Sequence, residues 1–270
     1  MRTDAMRPQS PRDTAQAPLE LRNVWLAFGT RVVCRDLSCS FPRGVITVLM
    51  GGSGAGKSTL FRLIGGLLRP DRGSIKVAGE EITGLSEHGL GRVRRRIGMM
   101  FQGGALLDSM TLFENVALPL RERTKLTERE VAAKVMESLE AVGLADAEGL
   151  LPSQLSGGMV KRAALARAIV MSPEIVLADE PFSGLDPVTL RRIEALLVET
   201  NRGLGHTLVV ASHHISSAKR MAHQIVFLRD GVAICGTPEE LERSTDPSIA
   251  EFFQADADEP EQLAIPTEAR

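Results

Sequence analysis

Short, almost wholly apolar runs alternate along this chain with longer stretches in which apolar residues return every three or four positions. Runs at 45–50, 97–101, 174–178 and 207–211 are rich in Val, Ile, Leu and Met and have the length of strands. Apolar at nearly every position, they predict strands buried on both faces, as in a parallel sheet covered by helices. The segments between them predict helices. Val131, Val135, Leu139 and Val142 fall on one helical face; Thr127 and Glu130 form a capping box at its start, and Gly143 marks its end. Asp186 followed by Pro187 has the form of an N-cap with proline in the first turn, opening a helix to about residue 200. Another helix is predicted over 58–68. Runs at 225–228 and 232–235 flank Asp230-Gly231, a hairpin turn. The alternation predicts an α/β fold on a largely parallel sheet, and nothing repeats at a fixed period.

Composition narrows the function classes. Residues 1–17, polar and without periodicity, are expected to be a disordered arm; the acidic, Pro-interrupted stretch 255–270 is expected to be a disordered tail. The chain has 270 residues, enough to bury a core without crosslinks. Lys+Arg (32) and Asp+Glu (34) nearly cancel, which excludes a chain built mainly to coat nucleic acid. Aromatic residues are 4% of the chain and Tyr is absent, which leaves little for stacking on single strands. No run approaches the ~20 apolar residues that span a bilayer, and the N-terminus lacks the apolar stretch of a secretory signal. Cys34, Cys39 and Cys235 have no C-x-x-C spacing and are expected to be reduced packing residues of a cytosolic protein.

Two motifs carry chemistry by themselves. Gly51-Gly52-Ser53-Gly54-Ala55-Gly56-Lys57-Ser58 matches G-x-x-x-x-G-K-[ST] between a predicted strand and a predicted helix. Glycines there let backbone N–H groups wrap a polyphosphate, and the helix N-terminus adds positive potential. Lys57 would pair the β- and γ-phosphates and Ser58 would ligate Mg²⁺. The second motif is Ile175-Val176-Leu177-Ala178-Asp179-Glu180, a buried strand ending in two acids. An ideal strand sends neighbouring side chains to opposite faces, but at the strand's C-terminal edge both acids can reach the adjoining loop. Asp179 suits the Mg²⁺ shell, and Glu180 suits a residue that orients the attacking water and accepts its proton.

Leu155-Ser156-Gly157-Gly158-Met159, placed between these motifs and leading into a helix, resembles the LSGGQ signature of the ATPase subunits of ABC transporters. The resemblance covers about residues 19–244 and implies a P-loop fold: a RecA-like core, an antiparallel β part and a helical subdomain. It implies that Gly51 through Thr59 hold ATP. It implies that Ser156, Gly157 and Gly158 complete the site of a second copy, so that two chains close head to tail around two ATP molecules. Gln102 resembles the Q-loop glutamine that reaches Mg²⁺ and water. Ser183-Gly184-Leu185-Asp186 resembles the D-loop, and His213 the switch histidine that contacts the γ-phosphate. Phe28 stands where an aromatic stacks on adenine; core packing is the competing reading for it. Met159 departs from the usual Gln, and His214 from an Asp that often follows the switch histidine.

The stretch Phe101-Gln102-Gly103-Gly104-Ala105-Leu106-Leu107-Asp108-Ser109-Met110-Thr111, followed by Glu114-Asn115-Val116 and Pro119-Leu120, is similar to the Mla (maintenance of lipid asymmetry) ATPases. So are the signature followed by Lys161-Arg162-Ala163, and the end Asp246-Pro247-Ser248-Ile249-Ala250-Glu251-Phe252-Phe253. That resemblance implies phospholipid transport between two membranes. The chain would sit peripherally on the cytoplasmic face of the inner membrane. Its partners would be a transmembrane permease, a STAS-domain protein and an MCE lipid-binding protein. The implied domains are 18–244 for the ATPase, with a helical subdomain over about 103–170, and an extension over 245–270. The segment 245–253 is expected to dock on the partner ATPase, and Leu106, Leu107 and Met110 to line a groove for the permease. The basic run Arg92, Arg94, Arg95 and Arg96 is expected to be a solvated face. Competing readings are an ATPase of an amino-acid or lipoprotein-releasing transporter, which the Gly104-Ala105-Leu106 stretch and Met159 disfavour, and a soluble ABC protein. Proteins of the second kind usually carry a second cassette, a long coiled coil or a zinc insertion, and none is read in this sequence.

Overall fold

The computed structural model describes residues 17–255; the expected arm over 1–17 and tail over 255–270 lie outside the described residues except for Ala17 and for Ala255, which closes a helix. Ten strands and nine α-helices are described. In chain order they are β1 (Leu19–Phe28), β2 (Arg31–Phe41), β3 (Ile46–Met50), α1 (Lys57–Ile64), β4 (Arg72–Val77), β5 (Glu80–Glu81), α2 (Glu87–Arg94) and β6 (Ile97–Met100). Then come α3 (Leu112–Arg123), α4 (Glu128–Ala141), α5 (Gly157–Ile169), β7 (Ile175–Asp179), α6 (Pro187–Leu204), β8 (Thr207–Ala211) and α7 (Ile215–Met221). The last are β9 (Gln224–Arg229), β10 (Val232–Gly236), α8 (Pro238–Glu242) and α9 (Pro247–Ala255).

The main sheet has the order β10-β9-β3-β8-β7-β6. It is parallel from β9 to β6, and only β10 runs antiparallel, at the edge. The consecutive apolar residues of these strands divide by the two-residue period of a pleat. Val176 and Ala178 of β7, with Leu208 and Val210 of β8, enter a core shared with α3–α6. Ile175 and Leu177, with Val209 and Ala211, face the other way onto α1 and the second sheet. That second sheet, β2-β1-β4-β5, is antiparallel and sends Leu19, Leu21, Leu37 and Phe41 inward. Burial on both faces is thus the reason the central strands read as unbroken apolar runs.

Glycine sets two helix ends differently from the sequence expectation. Helix α1 stops at Ile64, short of residue 68, because Gly65-Gly66 follow and Gly66 takes a left-handed φ of 64°. Helix α6 runs to Leu204, past residue 200, and is ended by Gly205 at φ 67°. Helices α3, α4 and α5 pack together around Val116, Leu120, Val131, Val135 and Leu139. Asn115, fully buried in α3, accepts from the Leu107 N–H at 2.7 Å and donates to the carbonyls of Leu107, Met110 and Thr111. One side chain therefore holds the turn over residues 107–111. Cys34 and Cys39 are buried thiols, as expected; Cys235, on the edge strand β10, is exposed in part. No helix among the described residues is long and apolar enough to cross a membrane.

Candidate nucleotide site

Strand β3 delivers the chain from the core into the glycine-rich loop. Gly51 sits at φ 145°, and a Cβ there would lie 2.5 Å from the Leu228 carbonyl oxygen. Gly56 sits at φ 103°, where a Cβ would meet Val33 at 2.9 Å. Only glycine fits at either place. Helix α1 then begins with no side-chain cap and no acid in its first turn. Helices α2 to α6 are each capped, by Ser86, Thr111, Thr127, Ser156 and Asp186. The exposed N–H groups and positive end of α1 are therefore left for an anion. Lys57 Nζ donates to the Gly51 carbonyl at 2.8 Å. The loop forms one wall of a cleft of about 780 Å³. Gly51, Gly52, Ser53, Gly54, Ala55, Gly56, Lys57, Ser58 and Thr59 all line it, together with Phe28, Arg31, Val33, Gln102, Glu180, His213 and Phe252.

The two acids converge for a definite backbone reason. Asp179 closes β7, and Glu180 turns into the left-handed region at φ 45°, which breaks the alternation of the strand. Asp179 Oδ1 then accepts from the Ser58 hydroxyl at 3.4 Å. Glu180 Oε2 lies 2.9 Å from His213 Nδ1, and Glu180 Oε1 lies 3.8 Å from Lys57 Nζ. Burial raises the Asp179 pKa above the usual carboxylate range, against the Ser58 hydrogen bond that lowers it. A divalent cation there would relieve that burial. Ser58 and Asp179 offer it two oxygens, which suits Mg²⁺ held mainly by phosphate and water. Among the described residues no group of three or more His, Cys, Asp or Glu is placed to hold a metal without such help.

The remaining site residues divide between two places. Gln102 follows β6 and lines the cleft, and its carbonyl accepts from Lys161 Nζ. Phe28 is 51% exposed at the end of β1, which removes the core-packing reading. Ser156, Gly157 and Gly158 line a different hollow of about 620 Å³ beside Gly184, Leu185 and Asp186. In the single chain the Ser156 hydroxyl caps α5, accepting from the Met159 N–H at 3.3 Å. Met159 packs against the core, and His214 meets the Phe182 ring edge-on at 6.0 Å. The apolar groove beside the Q-loop, about 650 Å³, is lined by Leu67, Phe101, Leu118, Pro119 and Met171. Leu106, Leu107 and Met110 are not among its walls; Leu106 packs against the core, and Asn115 holds the other two in a separate turn. Sequence reasoning also missed Arg31, which donates to the Gly54 carbonyl at 2.9 Å, and Phe252. Arg31 belongs to no motif; Phe252 lies in the 246–253 stretch, which was expected on a partner and not at the nucleotide.

Residues 34–183 match the ABC transporter family. The intermembrane phospholipid transport system ATP-binding protein MlaF of Escherichia coli K12 is 43% identical over 92% of this chain and 93% of its own length. A Mycobacterium leprae ATP-binding protein named for ribonucleotide transport is 40% identical over 87% of this chain but 68% of its own. The ATP-binding cassette MJ0796, solved as a post-hydrolysis dimer bound to ADP and Pi, superposes with a TM-score of 0.74 at 32% identity, covering 82% of this chain and 98% of that one. An uncapped phosphate loop, two converging acids and a signature helix, joined to a family match over more than half the chain, lead to one conclusion: the chain belongs to the ABC transporter family, as an ATP-hydrolysing, ATP-binding subunit.

Proposed function

We propose that this subunit powers phospholipid transport between an inner and an outer membrane. The observation that carries the substrate class is the 43% identity to MlaF, which runs almost the full length of both chains. The nucleotide site sees no lipid, so the cargo follows from the kinship and not from the cleft. The chain acts at the cytoplasmic face of the inner membrane, bound to a transmembrane permease, a STAS-domain protein and an MCE lipid-binding protein. The residues 18–244 form its motor, with the helices α3–α5 as the arm that carries the signature.

The site residues then take the following roles. The loop Gly51 to Gly56, with Thr59 behind it, wraps the phosphates of ATP, and Lys57 leaves the Gly51 carbonyl to pair the β- and γ-phosphates. Ser58, Gln102 and Asp179 hold Mg²⁺, which, when bound, neutralises charge on those phosphates. Glu180 orients the attacking water and takes its proton; His213, 2.9 Å away, fixes the direction of that carboxylate. Phe28 stacks on the adenine. Ser156, Gly157 and Gly158 act across the seam on the nucleotide of a second copy, because in their own chain they open into a separate hollow. The 650 Å³ groove, apolar and edged by Arg94, Arg95, Arg123 and Arg167, receives a cytoplasmic helix of the permease. Affinity purification from detergent-solubilised membranes tests the assembly. It should recover a permease with STAS and MCE partners; a periplasmic amino-acid-binding protein in their place would overturn the reading.

A further inference from the structure

Lys161 lies in the signature helix α5, just past the glycines, and is only 6% exposed. A buried ammonium is costly unless its donors are satisfied. Its three protons find three acceptors on two loops, one at Gln102 and one over residues 180–183. Nζ donates to the carbonyl of Gln102, to the Ser183 hydroxyl at 3.1 Å and to the Glu180 carbonyl at 3.3 Å. The Ser183 hydroxyl donates in turn to the same Glu180 carbonyl at 3.0 Å. The Glu180 N–H is held from the other side by the Ala211 carbonyl at 2.9 Å. This clamp closes on a residue at φ 45°, a backbone state that a glutamate does not hold unaided. None of the acceptors is a carboxylate, so Lys161 is not one half of an ion pair. Asp179 and Glu180 are the charges that face it, and burial outweighs them, lowering its pKa. Arg167, further along α5, donates to the carbonyls of Gly104 at 2.8 Å and Ala105 at 2.7 Å, so the helix grips the Q-loop twice.

We propose that Lys161 is a positioning residue for ATP hydrolysis. It ties the Q-loop, the Glu180 peptide and the D-loop Ser183 to the signature helix. The direction of the Glu180 carboxylate then follows the position of α5. When α5 moves against a second copy, the same ammonium carries that movement to the residue that activates water. The proposal rests on the role given to Glu180 above.

The full chain, purified in its membrane complex, is compared as wild type, Lys161→Met, Lys161→Arg and Ser183→Ala, each with and without Glu180→Gln. Single-turnover hydrolysis and the ATP dissociation constant are measured. Lys161→Met should slow hydrolysis at least tenfold while ATP affinity changes less than threefold, and Lys161→Arg should recover most of the rate. In the Glu180→Gln background Lys161→Met should cause no further loss. Should the methionine variant not fold, Ser183→Ala is the second probe: a smaller loss, absent in the Glu180→Gln background. Wild-type hydrolysis by Lys161→Met, or the same fractional loss in both backgrounds, would overturn the proposal. Normal turnover by Glu180→Gln alone would instead refute the role of Glu180, so the two failures read differently.

Discussion

Lys57 folds back on the Gly51 carbonyl and stands 3.8 Å from Glu180, so a single cation bridges the phosphate loop and the strand that ends in two acids. Replacing it with alanine should cut ATP turnover by about two orders of magnitude, as loss of a positioned transition-state cation does, and weaken nucleotide binding. Unaltered ATPase in Lys57→Ala would remove the loop from the mechanism. A second residue-scale prediction concerns His206, which is 3% exposed and has no partner for either ring nitrogen. Burial pushes its imidazole down to about 4. The unfolded chain titrates near pH 6.5 and so binds the extra proton first. The stability that depends on neutral His206 is complete above about pH 6.5 and is lost as pH falls toward 4, amounting to about 3 kcal/mol. His206→Leu should flatten that part of the stability curve, read from denaturant midpoints between pH 4 and 7. An unchanged slope would contradict the assignment. The motif residues were legible because phosphate chemistry demands their spacing. His206 was not, since nothing in its neighbourhood of the sequence says that it is buried without a partner. Lys161 read only as a basic position in the signature helix, because its three acceptors come from segments distant along the chain.

Among elements, the central strands β3, β6, β7 and β8 were the most legible, since burial on both faces leaves few polar positions to interrupt the run; β1, β2, β4 and β5, with one face on the core, were not read from the pattern. Helix α9 was the least. Its apolar face, with Ile249 and Phe253, was expected on the partner ATPase. In the single chain both are buried on their own core, and Phe252 sets its ring 4.9 Å from Phe227. An amphipathic segment declares that it needs a surface but does not say which one. Phe252 also borders the nucleotide cleft that Phe28 enters. Phe252→Ala should therefore raise the KM for ATP about threefold to tenfold and leave kcat nearly unchanged, in proportion to an aromatic contact worth roughly 0.5–1.5 kcal/mol. Equal KM values would separate α9 from the nucleotide. The turn over residues 107–111 depends likewise on one side chain. Asn115→Ala strips four hydrogen bonds from a buried site and should cost about 2 kcal/mol, seen as a lower denaturant midpoint.

The whole molecule presents two incomplete hollows: one holds the phosphate loop, the acids and His213, and the other holds the signature and D-loop. A single chain does not bring them onto one nucleotide, while the related cassette MJ0796 was solved as a dimer with ADP and Pi. The order of motifs made the two half-sites legible in the sequence. Their separation into distinct cavities required the fold, because it depends on where α5 stands relative to β3 and β7. In the proposed mechanism ATP is hydrolysed between two copies, with Glu180 activating the water. Size-exclusion chromatography of Glu180→Gln with ATP and Mg²⁺ tests it most directly. An ATP-dependent dimer that persists without turnover and dissolves with ADP is expected. A Glu180→Gln chain that stays monomeric with ATP, or turns ATP over at the wild-type rate, would contradict it.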